Sequence, residues 1–165
     1  DDELEFDKYD LVYIGSGTED NLLIALKHLS KYKNDIKKYI EDNKFMLVTG
    51  NSVDMFGKKI EDNKALNIFD YEVSKGIRKK EEVYHNKILG FINNNSYNNK
   101  YCDTDIIRHN NFYGTYILGP ILVRNPHLVK QFLNNLTNKK LKYDLKLETK
   151  AYNEFIKNFK ENTNE

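Results

Sequence analysis

A chain of 165 residues with 39% hydrophobic content is sized for a single domain spanning 1–165, and at this length should bury roughly 70% of the surface its unfolded form exposes. Lys and Arg number 26 against 25 Asp and Glu, and a net charge of +1 is too small for the long-range field that gathers nucleic-acid phosphates. A mean hydropathy of -0.73 with only short apolar runs argues against membrane insertion. The acidic start DDELEFDKYD lacks the pattern of a secretory signal, and the lone Cys102 excludes an internal disulfide, so the expected compartment is cytoplasmic.

The first apolar run, Tyr9 to Ile14, is short, β-branched and aromatic, and stops at Gly15-Ser16-Gly17, which predicts a buried strand entering a tight turn. A helix should follow, capped by Thr18 or Asp20, with Leu22, Leu23, Leu26, Leu29, Ile36, Tyr39 and Ile40 at helical spacing and a break near residues 32–34. Phe45 to Thr49 predicts a second strand, ended by Gly50-Asn51-Ser52 and followed by a short helix from Val53 to Gly57. Strands without alternation, joined by a helix, imply a parallel sheet covered on both faces, with any active site at the strands' carboxyl ends.

Further strand candidates are Ala65 to Val73, Val83 to Ile92 and Tyr113 to Leu122, an antiparallel or mixed extension. Asn125-Pro126 predicts a helix start with Asn as N-cap, and Ala151, Tyr152, Phe155, Ile156 and Phe159 mark a terminal amphipathic helix before a frayed tail ENTNE. No repeat or linker interrupts the chain.

Several positions invite chemistry. Gly15-Ser16-Gly17 reads either as a turn or as a loop offering backbone N–H groups to an anion; it lacks the third glycine of a dinucleotide site, and no cofactor is expected. Thr49 and Ser52 flank a turn of the kind that carries nucleophiles, yet no base is placed by spacing, and turn roles suit both. Cys102 could serve as a nucleophile beside His109 or His85; a lone intracellular cysteine is otherwise an inert thiol. The four histidines, His28, His85, His109 and His127, show no metal-ligand spacing, so no metal is expected.

The segments YDLVYIGSGTEDN, FMLVTGNSVDMFGKKI, KALNIFDYE, ILGFINNN and FYGTYILGPILVRNP stand in an order that resembles the cobyric acid synthase-like class I glutamine amidotransferases, especially the glutaminase subunits of lipid II isoglutaminyl synthases. The resemblance implies a three-layer, flavodoxin-like α/β fold with a mostly parallel sheet. It also implies chemistry that this chain is expected to have lost. The family's elbow C-G-G-Y-Q-x-x-G, aligned on Gly57, puts the nucleophile at Gly50. Its G-T-Y-x-H-G-P puts the histidine at Leu118. Its F-E-N-H-x-G-R-T meets Phe91 to Asn98, with Tyr97 in place of the arginine. Gly15, Ser16, Gly17, Asn51, Asn94 and Tyr97 are then the oxyanion-side and substrate-pocket positions, and a third reading has that old pocket, lined by Gly50, Tyr97 and Leu118, bind a small molecule.

The family's initial strand-helix-strand unit has no counterpart, so the chain is either a fragment or draws those strands from elsewhere, and an open sheet edge would invite self-association. The implied partner is a Mur ligase-like or other ATP-dependent synthetase subunit, and the implied role a degenerate, non-hydrolysing one acting as a binding or structural subunit. The alternative is an active amidotransferase or hydrolase, in cell-wall or cobyric acid-type biosynthesis, with its nucleophile relocated to a residue such as Cys102 or Ser52.

Overall fold

The computed structural model describes residues 3–118 and 120–162. Gly119 of the GTYILGP motif and the tail beyond Asn162 therefore lie outside the described residues. Strand β1 (Leu11–Ile14) leads into α1 (Glu19–Leu29), where the Thr18 side chain accepts a hydrogen bond from the Asn21 backbone N–H and so acts as N-cap. The predicted break is a 3-10 turn at Ser30–Tyr32, after which α2 (Lys33–Glu41) continues. Strand β2 (Phe45–Thr49) follows, buried along its whole length, as its unbroken apolar run requires.

Residues Gly50–Phe56 form a buried 3-10 helix leading to the short strands β3 (Lys59–Ile60) and β4 (Asn63–Lys64). The strand expected over Ala65 to Val73 is mostly absent. Its backbone instead lies against the 3-10 helix, with Leu66, Asn67 and Ile68 N–H groups donating to the carbonyls of Met55, Gly57 and Phe56. The candidate over Val83 to Ile92 is in fact the tip of a hairpin between β5 (Glu72–His85) and β6 (Ile88–Asn98). Asn86 and Lys87 both adopt positive φ there, 48° and 67°, the geometry of a two-residue hairpin turn. Strands β7 (Ile106–His109), β8 (Phe112–Thr115) and β9 (Ile117–Leu118) precede α3 (Ile121–Arg124), α4 (Pro126–Thr137) and α5 (Lys146–Asn162). The predicted strand over Tyr113 to Leu122 thus divides between two strands and a helix.

Two sheets result. The first has the order β1-β2-β8-β7, with β1, β2 and β8 parallel and β7 antiparallel; the second has the order β4-β3-β5-β6-β9 and is mostly antiparallel. Alternation along β2 makes three layers of the first: Met46 and Val48 pack with Leu22, Leu26, Ile36 and Tyr39 of α1 and α2, while Phe45 and Leu47 pack with Phe132 of α4. Strand β1 was expected to be buried but is the edge of the sheet, so Leu11 and Tyr13 on its outer side are exposed, as is Tyr9 just before it. No described helix is long and apolar enough to cross a membrane.

Asn125 precedes Pro126 of α4 as predicted, yet its side chain does not cap the helix. Fully buried, its amide donates to the carbonyls of Leu89 and Ile121 and accepts from the Leu89 N–H. The residue clamps β6 to α3 because those buried backbone groups need partners more than the exposed first turn of a helix does.

Candidate functional site

Because β1, β2 and β8 are parallel and in register, with Ile14 beside Val48 and Thr49 beside Thr115, the loops at their carboxyl ends converge. This is where ligands bind in open α/β sheets. Gly50, directly after β2, has φ +64°, and a Cβ added there would lie 2.6 Å from Ser16 Cβ and 2.7 Å from Leu118 Cδ2. The three loops singled out in the sequence therefore meet at one point, shaped as a sharp strand-to-helix elbow. Positive φ is a conformation glycine adopts without cost and other residues seldom do. The space where a larger side chain would stand is filled by Ser16 and Leu118.

The hydrogen bonds around this point are internal. Asn51 grips Gly17 twice, its Oδ1 accepting from the Gly17 N–H at 3.1 Å and its Nδ2 donating to the Gly17 carbonyl at 2.9 Å. Gly17 thus spends its N–H on Asn51 and does not present it to an anion. Ser52 Oγ donates to the Gly15 carbonyl at 2.6 Å, and Thr49 Oγ1 shares a 3.0 Å hydrogen bond with Tyr13. Both hydroxyls hold β1 and its loop against the elbow, and among the described residues neither is hydrogen-bonded to a histidine or a carboxylate. Replacing Asn51 with alanine should release this loop. We expect a stability loss of about 1–2 kcal/mol and faster amide exchange at Gly17, measured by hydrogen exchange; unchanged exchange there would show that the clamp does not hold the loop.

Asn94 and Tyr97 do not join a common pocket. On a strand, residues three apart face opposite sides. Asn94, buried, closes a local turn of hydrogen bonds with the backbone of Ser96, whereas Tyr97 is 66% exposed and pairs across the ladder with Ser74. Tyr97 lines a small polar cavity of about 230 Å³ with residues such as Lys59 and Glu61. Cys102 is exposed at a turn in which its N–H donates to Asp105 Oδ2. His109, one of its two candidate bases, is bound to Glu41 Oε1 at 3.0 Å and set edge-on to Phe69.

The sequence reading overlooked the polar centre just behind the elbow. Asp54, on the 3-10 helix, is 0% exposed. Its carboxylate accepts from Lys75 Nζ at 2.9 Å, from Tyr116 Oη at 2.9 Å and from Ser96 Oγ. Asn98 Nδ2 donates in turn to Tyr116 Oη at 3.3 Å. Burial pushes the Asp54 pKa up, opposed by the Lys75 charge and the three hydrogen bonds. Burial and the adjacent Asp54 carboxylate also push the Tyr116 phenol up, so it stays a donor at neutral pH. The network ties the elbow to β5, β6 and the corner between β8 and β9. Its signal in the sequence is the single carboxylate in Val53-Asp54-Met55-Phe56, since a charge inside an apolar segment requires a partner.

No protein-family model matches the chain. It is similar to the lipid II isoglutaminyl synthase (glutamine-hydrolyzing) subunit GatD of Staphylococcus aureus (strain N315), with 27% identity over 164 residues covering 83% of this chain and 68% of that one. A crystal structure of a glutamine amidotransferase matches with a TM-score of 0.57 at 12% identity, covering 79% of this chain and 80% of the other. The second likeness is one of fold. The domain is glutamine amidotransferase-like in architecture.

Proposed function

We propose that the chain is a degenerate glutamine amidotransferase-like domain that does not hydrolyse glutamine and acts as a binding or structural subunit of a ligase-type complex. The observation that carries this reading is the contact between positions 50 and 118. The elbow keeps the backbone shape that exposes a nucleophile, and the position of its base stands against it, but the residues are glycine and leucine. A thioester cannot form on glycine, and leucine can neither take a proton from a thiol nor give one to departing ammonia. Losing either partner alone costs an acyl-transfer enzyme several orders of magnitude in rate.

The similar staphylococcal protein is named as a subunit of a glutamine-hydrolysing synthase, which supports an assembly role here with a Mur ligase-like or other ATP-dependent synthetase subunit. The cobyric acid synthase-like subclass rests on the GTYxxGPIL and FxGKK elements of this sequence. The test is ammonia release from glutamine by the purified chain, alone and with a Mur ligase-like subunit, alongside labelling of Cys102 by a thiol-reactive glutamine analogue. No release and no labelling are expected. Turnover that disappears in Cys102→Ala would sink the proposal and move the nucleophile to that residue.

A further inference from the structure

On the face of the first sheet that packs against α4 lies a cavity of about 550 Å³, within the size range of small-molecule sites. Neither Gly50 nor Leu118 lines it. Its apolar walls include Leu47 of β2, Tyr113 of β8, Leu122 of α3 and Phe132 of α4. At its mouth stand Lys87, Arg108 and His127, all exposed, and Asp105 is the one carboxylate among the lining residues. One oxygen of that carboxylate takes the Cys102 N–H.

Neither cation has a carboxylate partner among the described residues. Arg108 stacks on Tyr113 with its guanidinium 4.6 Å from the ring centroid and donates one N–H to the Tyr113 hydroxyl at 2.8 Å; among the described residues it has no carboxylate partner. Lys87, set in the left-handed region by the hairpin turn, likewise has no ion pair among them. His127 lies edge-on to Tyr152, its imidazole held below the ordinary value first by burial and then by the Lys87 charge. At neutral pH it is therefore an uncharged ring able to donate one hydrogen bond and accept another.

We propose that this cavity binds a small molecule joining an apolar body to one anionic group, the body against Leu47, Leu122 and Phe132 and the anion between Arg108 and Lys87. The Arg108 guanidinium and the Lys87 ammonium match a carboxylate or a phosphate, and the larger, apolar part of the lining, which includes Leu47, Leu122 and Phe132, suits an apolar body. The site is independent of the reading of the elbow, because it uses the opposite face of β2 and none of the elbow residues.

Calorimetric titration of the full chain with phenyl phosphate and with benzoate tests it, with inorganic phosphate and benzyl alcohol as the two halves of the chemistry. Saturable binding of at least one amphiphile is expected, each half alone binding at least about tenfold more weakly, and the tighter amphiphile shows whether phosphate or carboxylate is preferred. Arg108→Gln should weaken it by about tenfold or more, the scale of one charged hydrogen bond, and Leu122→Trp should abolish it by filling the cavity. Arg108 is exposed, so its variant carries the test even if the tryptophan variant fails to fold, as thermal unfolding would reveal. Absence of saturable binding, binding untouched by Arg108→Gln, or inorganic phosphate binding as tightly as phenyl phosphate would each overturn the assignment.

Discussion

Replacing Asp54 with leucine is expected to lower the stability of the domain by about 3–5 kcal/mol at neutral pH, the scale of breaking a buried charged pair from one side. The substitution removes the acceptor of the buried Ser96 and Tyr116 hydroxyl protons and leaves the Lys75 ammonium, whose side chain is 26% exposed, without its carboxylate and with Ser96 Oγ still in reach at 2.8 Å. Asp54→Asn keeps an acceptor oxygen and should cost less. Chemical denaturation of the three proteins checks the ordering, and a leucine variant as stable as the parent would mean that the network contributes nothing net.

The same position sets a pH dependence. Burial raises the folded-state pKa of Asp54 above the ordinary carboxylate value, so the protonated form suits the folded state better than the unfolded one. Its contribution is complete below about 3.9, the unfolded value, and is lost as pH rises through the raised folded value. Wild-type stability minus that of Asp54→Asn should therefore fall as pH increases from about 4. A difference that rises with pH would show that Lys75 and the hydrogen bonds outweigh burial and depress the pKa.

Gly50→Ala is expected to cost about 2–4 kcal/mol. Part is the left-handed backbone, φ +64°, which alanine adopts at about 1–2 kcal/mol; the rest is overpacking against Ser16 Cβ and Leu118 Cδ2, both under 3 Å from the new methyl. Leu118→Ala removes one of the two clashes but none of the backbone strain. A double-mutant cycle by denaturation should thus return a coupling of about 1 kcal/mol between the two positions. Zero coupling would mean that they do not touch in solution, and would remove the geometric support for the proposed loss of glutaminase chemistry.

Much of the first sheet was legible from local pattern. β1 and β2 follow from unbroken β-branched and aromatic runs, α1 from the Thr18 cap and the spacing of its leucines, and α5 from its aromatic stripe. The second sheet was far less so. Residues 76–82 of β5 are almost wholly exposed and polar, so no apolar alternation announces a strand whose order comes from its ladder with β6. Ala65 to Tyr71 misled in the other direction: an apolar segment can be buried by docking its backbone on a 3-10 helix without joining a sheet.

The candidate site divides in the same way. By itself the sequence determined that two parallel strands end in glycine-bearing turns, that position 50 carries no nucleophile, and that position 118 carries no base, because residue identity and short-range periodicity suffice for each. Only the tertiary structure decided that these positions touch, that Asn51 occupies the Gly17 N–H, that Asp54 is paired with Lys75 and hydrogen-bonded by Tyr116, and that Tyr97 faces away from the elbow. Those outcomes depend on strand register and parity, where a shift of one residue exchanges the two faces, and on partners far apart along the chain, from 21 residues for Asp54 and Lys75 to 62 for Asp54 and Tyr116 and farther still for Gly50 and Leu118, which no local pattern encodes.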